Sequence, residues 1–459
     1  MANKKSFDFA QDKKSIRLAQ DKKPQVIAVV GGQWGDEGKG KIVDYLAQEA
    51  DVVIRAQGGD NAGHTVVNEH GKFGLALLPA GIFNPKTLNI IGAGVALNLA
   101  SLIEEIEALE AQGIPIKNLI VSPKAHLTFK YHQTLDGLEE AARGKNKIGT
   151  TGHGIGPTYM DKAARIGLRV EQLKNPKKLL ANLEPILRAK AKLIGIKRHL
   201  FELEPQSRRP ELKVEYYSDL IKKAYKMIQP LVKNTEEVVF EHLNKGSTIV
   251  IEGAHGVLLD LDHGTYPKVT SSNPIVSGLL TGSGIPARYL TRSIGVFKAY
   301  QTRVGEGGMP TEMEEQKAQN LRNKGHEYGT RTGRPRRIGY FDGVAARYSD
   351  ILNGFSDIAI TRVDTLTNFG DLKIAKNYLL NGKKMKFFPT DEEDLLQAKA
   401  DYNKDDHYPG WTEDLSTIKS FHALPKNVQK YCQGIMENFH AAKLSFVGVG
   451  PERDALIVV

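Results

Sequence analysis

Residues Val26 to Lys41, reading VIAVVGGQWGDEGKGK, constrain the fold more than any other part of this chain. Val26 to Val30 is a run of five apolar, mostly β-branched residues, the signature of a buried strand. A glycine-rich turn follows, and Ile42 to Ala47 then has helical spacing. Strand, glycine loop and helix in that order hold phosphate. Glycines let backbone N–H groups converge on an anion, the helix N-terminus adds positive partial charge, and a lysine supplies a full one. Gly35, Gly40 and Lys41 have the spacing of a P-loop, but Ile42 stands where that motif carries the Ser or Thr that holds magnesium. Asp36 and Glu37 lie inside the loop, where carboxylates repel phosphate. A carboxylate there calls for a metal or a proton to act on.

The elements that follow extend the same architecture. Asp51 to Arg55, Leu88 to Gly92 and Asn118 to Val121 are short apolar runs, and Leu99 to Gln112 is an amphipathic helix with Gly113 as its stop. Further sheet elements are expected at Ser247 to Ile251, Ile294 to Lys298, Asp357 to Thr361 and Leu444 to Gly448. Such alternation predicts an α/β fold, with a large, mostly parallel central sheet flanked by helices. From about residue 173 to 245 helix formers and lysines replace glycine, interrupted by Pro205 to Pro210, which predicts a helical insertion. Residues 1–24 carry an imperfect repeat, AQDKK at 10–14 and 19–23, and read as a basic, mobile extension to one catalytic domain at 25–459.

The bulk numbers exclude several classes. No apolar run approaches the ~20 residues of a membrane-spanning helix. Met1 to Lys23 has no apolar core of a secretory signal, and the single cysteine, Cys432, rules out an intrachain disulfide, so the cytoplasm is the expected compartment. A net charge of +10 admits either nucleic acid or small anionic substrates. The lysines are spread out and no aromatic residues interleave with them as stacking platforms, so the phosphate loop favours a small ligand and no nucleic acid is expected.

Five further segments carry chemistry. Gln57 to Thr65 is a second glycine-rich loop containing Asn61, Ala62, Gly63 and His64. A lone histidine is usually a surface residue, but this one follows the strand after the phosphate loop, where an imidazole serves as general acid or phosphate partner. Gly149 to Tyr159, with Thr151 and His153, offers hydroxyls and amides for a second phosphate, or is only a flexible connector. Glu252 to Gly256 and Asp260 to Asn273 include His255, Asp260, Asp262, His263 and Thr270. A metal site there is weighed against hydrogen-bonded loop scaffolding, and scaffolding is preferred because no further histidines cluster. Thr330 to Arg337 packs four arginines into seven residues, held by Gly333 and Pro335, which suits carboxylate or phosphate better than a solvated basic face. Finally, Asp364 follows Arg362 and Val363 at a strand end, where its carboxylate can accept from the N1–H and N2–H₂ edge of guanine.

In this order the six segments resemble adenylosuccinate synthetase, which joins IMP and L-aspartate with hydrolysis of GTP. The resemblance runs from Val26 to Val459 and rests on QWGDEGKGK at 33–41, NAGHT at 61–65, GTYP at 264–267 and TGRPRR at 332–337. It implies that Asp36 is the general base toward N1 of IMP, that His64 is the general acid, and that Lys39 offsets charge on the transferring phosphoryl group. Asp36 and the carbonyl of Gly63 would ligate one Mg²⁺ per subunit. GTP would lie against Gly35 to Lys41, Gly63 to Thr65, Arg336, Arg362, Val363, Asp364, Gly448, Val449 and Gly450. IMP would meet Asp36 to Lys39, Asn61 to His64, Thr151, His255, Thr270 and Arg334, with Arg165 supplied by the other subunit of a homodimer. The loop Thr330, Arg331, Thr332, Gly333, Arg334, Pro335 and Arg336 would take the aspartate carboxylates.

Three positions depart from the family pattern. His255 stands where bacterial members have Gln, His153 replaces an Arg or Lys, and Arg331 replaces a threonine, adding charge and bulk at the amino-acid pocket. Retention of Asp36 argues against a related phage-type enzyme that uses dGMP. The competing class is a GTP-dependent switch or binding module, which has no use for a second anion site and wants Ser or Thr after Lys41.

Overall fold

The structure is a computed structural model that describes residues 23–200, 209–329 and 333–459. Ten strands build its central sheet. In chain order they are β1 (Gln25–Gly31), β2 (Val52–Gly58), β3 (Leu88–Asn98), β4 (Leu119–Val121), β5 (His126–Thr128), β6 (Thr248–Gly256), β7 (Leu290–Lys298), β8 (Asp357–Thr361), β9 (Lys443–Gly448) and β10 (Leu456–Val458). Across the sheet they run β10-β9-β8-β7-β1-β6-β2-β3-β4, with β5 beside the end of β3. Every pairing is parallel except β9 with β10. The phosphate-loop strand β1 is central, flanked by β6 and β7, so its carboxyl end opens at the middle of the sheet.

Alternation along each strand divides the interior into two layers. Ile27, Val29, Val53 and Val250 face one core, and Val26, Ala28, Val30, Ile54, Ile249 and Ile251 face the other. Burial of both faces explains why these strands read as continuous apolar runs. The stretch after residue 173 is helical over Pro176–Leu200, Ser218–Met227 and Thr235–Asn244. Leu179, Leu183, Leu187 and Ile221 tie it into the first core.

Several elements were not expected. The second glycine loop runs into a hairpin, His64–Asn68 paired with Gly71–Leu75. Residues 341–408 add two three-stranded sheets of short strands. β2, β3 and β6 also extend beyond the predicted runs, to Gly58, Asn98 and Gly256, because glycine and polar residues continue the ladder into the site. The repeat at 10–14 and 19–23, but for Lys23, and Pro205 lie outside the described residues. Among the described residues no helix is long and apolar enough to cross a membrane.

Candidate active site

The phosphate loop leaves β1 and enters the helix Lys39–Leu46 through Gly38, whose φ of 92° lies in the left-handed region that glycine adopts freely. Its two acids have opposite environments. Glu37 is fully buried and accepts from the N–H groups of Gln33 at 3.1 Å and Gly35 at 2.8 Å, with Lys39 Nζ at 2.7 Å. A Cβ on Gly31 would fall 2.2 Å from that carboxylate, so Glu37 needs the glycine. Glu37 thus braces the loop from within and fixes Lys39. Asp36 turns outward, its side chain 31% exposed, in a left-handed backbone conformation with φ 60°. Its carboxylate meets Arg336 Nη2 at 2.8 Å.

Arg336 is the point where the arginine segment reaches the phosphate loop. It is 6% exposed, pairs through Nη1 with Glu327, and its Nε is buried with no acceptor among the described residues. Glu327 also accepts from Lys298 Nζ at 2.8 Å and from the Tyr300 hydroxyl at 2.6 Å. Burial opposes ionisation of Glu327, but Lys298 and Arg336 outweigh it and bring the carboxyl down to about 2. Arg334, at the tip of the same loop, is exposed and donates to the Gly149 carbonyl at 3.3 Å, linking the fifth segment to the third. Thr330, Arg331 and Thr332 lie outside the described residues.

His64 opens the hairpin, and a Cβ on Gly40 would lie 3.1 Å from its own Cβ. Its Nδ1 bonds Glu252, which also accepts from Arg55 Nη1 at 3.1 Å and the Ala80 N–H at 2.8 Å. Burial first, and then Arg55, lower the imidazole to about 4, so it is neutral at pH 7. His255, with φ 62°, packs its ring against Gly58, and both ring nitrogens are buried with no partner among the described residues. Burial again leads, followed by Arg55 and Lys39, in bringing it down to about 3. The Asn61 carbonyl oxygen is likewise buried without a partner among the described residues. Asp60 holds His153 at 3.3 Å together with Asn98 at 2.9 Å, so His153 serves the second glycine loop.

The segment predicted to meet guanine sits at the ends of β8 and β9. Lys41 Nζ donates to the carbonyls of Gly450 at 2.8 Å and Ala455 at 2.6 Å, and burial lowers it to about 8. Val363 N–H donates to the Gly448 carbonyl at 3.3 Å, and Val449 N–H to Ala455 at 2.9 Å. Thr361 Oγ1 donates to the Glu37 carbonyl at 2.6 Å, joining this corner to the phosphate loop. Asp364 Oδ1 is buried without a partner among the described residues; burial raises its pKa against the pull of Arg362 and Lys41.

Other predicted residues stand further out. Thr270 is half-buried, its N–H bonded to the Leu259 carbonyl at 2.9 Å. Asp260 accepts from the N–H groups of Asp262 and His263, both at 3.0 Å, which is loop scaffolding. Among the described residues no group of three or more His, Cys, Asp or Glu could hold a metal alone. Thr151 and Arg165 are exposed, and Arg165 has a left-handed backbone with φ 62° just beyond the helix Ile155–Ala163. Sequence reasoning missed the roles of Arg55, Glu252, Lys298, Tyr300 and Glu327. A charged residue inside an apolar strand, as at Arg55, Glu252 and Lys298, is the signal that could have found three of them.

A family model described as adenylosuccinate synthetase matches residues 28–457. The adenylosuccinate synthetase of Thermoanaerobacter sp. (strain X514) is 46% identical over 437 residues, covering 94% of this chain and 99% of that protein. The one from Bifidobacterium adolescentis is 42% identical over 433 residues, covering 94% and 98%. Among solved structures, fully ligated adenylosuccinate synthetase from Plasmodium falciparum superposes with a TM-score of 0.85 at 36% identity, covering 95% of this chain and all of that one.

Proposed function

Because the chain belongs to the adenylosuccinate synthetase family, we propose that its six loops form one site in which Asp36, Lys39 and His64 carry the chemistry. The enzyme ligates IMP and L-aspartate with hydrolysis of GTP, giving adenylosuccinate, GDP and phosphate, the first committed step from IMP to AMP. The observation that carries the site assignment is the contact of Asp36 with Arg336, since it brings the phosphate loop and the arginine loop to one point.

In this reading Asp36 takes the proton from N1 of IMP, and O6 attacks the γ-phosphorus of GTP. The O6–P bond forms as the bond to GDP breaks. The aspartate amine then adds at C6 and expels the phosphate, a better leaving group than hydroxide. Lys39, locked by Glu37, and the loop N–H groups balance charge on the moving phosphoryl group, which is where phosphoryl transfer needs help. His64 acts as general acid once its ring leaves Glu252. Arg334, Arg336 and the loop between Thr330 and Pro335 take the aspartate carboxylates, and the unpaired Nε of Arg336 supports this. Asn61, His255, Thr270 and Thr151 hold IMP, the first two offering buried polar atoms free to pair. Arg362, Asp364 and Gly448 to Gly450 take guanine.

Mg²⁺ fits this loop. It binds proteins through one or two carboxylates and completes its shell with phosphate oxygens and water. Asp36 is a partly open hard donor, whereas Glu37 is spent internally. Asp36 and the Gly63 carbonyl would hold the ion, which screens phosphate charge when bound. Arg165, exposed beside Met160 and Ile166 at 57% and 45%, suits a residue lent to a second subunit of a homodimer. The cytoplasm is the proposed compartment, and residues 25–459 are taken as one catalytic unit. The test is an assay with IMP, L-aspartate, GTP and Mg²⁺, omitting each in turn. Adenylosuccinate should form only in the complete mixture, and GTP hydrolysis unchanged without IMP would overturn the mechanism.

A further inference from the structure

The arginine loop is closed at its base by two residues that face each other. Arg336 N–H donates to the Glu327 carbonyl at 3.0 Å, and the Arg336 side chain returns to the Glu327 carboxylate through Nη1. Inside that clamp Tyr328 bridges Pro335, and the Gly329 N–H donates to the Arg334 carbonyl at 2.8 Å. Glu327 is fully buried and holds two cations, Arg336 and Lys298, besides the Tyr300 hydroxyl. One carboxylate cannot neutralise both cations. The second negative charge of the cluster is Asp36, on the far edge of Arg336.

We infer that Glu327 is a positioning residue of the ligation reaction: it anchors the Arg336 guanidinium through Nη1, so that Asp36 meets Nη2 alone and Nε stays unpaired. A guanidinium free to turn takes a carboxylate by two parallel hydrogen bonds from neighbouring nitrogens, the strongest pairing open to it. Without the charge on Glu327, Arg336 would turn to close on Asp36 in that way and be withdrawn from the aspartate substrate, while Asp36 would lose its reach to the N1 proton of IMP. The inference rests on the reading of Asp36 as base and of Arg336 as a substrate ligand. It adds the residue that keeps the two apart.

The test is steady-state kinetics on the full chain. E327Q should lower kcat about tenfold or more and raise KM for aspartate by a similar factor, with KM for IMP within about twofold. Because E327Q leaves Lys298 buried without its carboxylate, the double variant E327Q/K298M removes both charges and should recover the wild-type thermal midpoint. The double variant is expected to keep the kcat and aspartate defects. Wild-type kinetics in E327Q, or their recovery in the double variant, would reduce Glu327 to charge compensation and overturn the inference. R336K separates the two levels, with at least a tenfold rise in KM for aspartate expected. An unchanged KM in R336K would remove Arg336 from the substrate site, defeating that reading and this inference together.

Discussion

Arg336 meets Asp36 at 2.8 Å, so the outward acid of the phosphate loop is held by a buried arginine from a segment 300 positions further along the chain. The contact orients the Asp36 carboxylate while leaving it partly exposed. The adjacent Glu37, turned inward, braces the loop by accepting from the N–H groups of Gln33 and Gly35.

Replacing Asp36 by Asn should separate chemistry from fold. Asn tolerates the left-handed backbone found there, so D36N keeps the loop geometry that Ala would strain. Loss of the base should lower kcat by about 10²–10⁴-fold, with the thermal midpoint within about 2 °C of wild type. Retention of more than a tenth of the turnover would exclude Asp36 as base.

Asp364 predicts a nucleotide switch. In the proposed role its carboxylate would accept two hydrogens from guanine, whereas Asn offers one acceptor and one donor, the complement of xanthine N1–H and O2. D364N should therefore raise KM for GTP by about 10²-fold and make XTP the better phosphoryl donor. Equal use of GTP by wild type and D364N would move guanine recognition elsewhere.

These two residues were legible in the sequence because each sits in a short motif at a strand end, where glycine and charge mark a loop. The rest of the site was not, for a physical reason. Glu252 meets His64 across 188 positions, and Glu327 meets Lys298 across 29, so no local spacing announces either pair. The hairpin after His64 and the short sheets of 341–408 escaped because strands of two to five residues carry too few alternations to register as a period. The parallel sheet was plain because its strands are buried on both faces and read as apolar runs. The central position of β1 came only from pairing.

Acid should destabilise the fold well before its carboxylates are neutralised. Burial, helped by nearby cations, holds His64 and His126 at about 4 and His255 at about 3, against about 6.5 in the unfolded chain. Below about 6.5 the unfolded chain binds more protons, so stability present above that pH is lost as pH falls toward 4. Between pH 7.5 and 5 the three together should lose about 2–4 kcal/mol, allowing for partial solvent access. Glu327 adds its own loss only below its ordinary range near 4.5. Urea unfolding at the two pH values measures this, and H255Q should reduce the difference by about 1 kcal/mol. Equal stability at both pH values would contradict the buried neutral histidines.

Metal removal should abolish turnover without loosening the protein. Asp36 is already paired with Arg336, so Mg²⁺ alone must displace a guanidinium to reach one carboxylate, an exchange with little net gain. GTP changes the balance by bringing phosphate oxygens, the other ligands that Mg²⁺ prefers. Chelation with EDTA should therefore stop adenylosuccinate formation while leaving the thermal midpoint of the substrate-free enzyme within about 1 °C. Mg²⁺ and GTP together should raise the midpoint by several degrees, as expected for a ligand that binds only the folded state. D36N should lose most of the part of that rise that depends on Mg²⁺. A rise with Mg²⁺ alone that is equal in D36N and wild type would place the ion elsewhere and remove Asp36 from its shell.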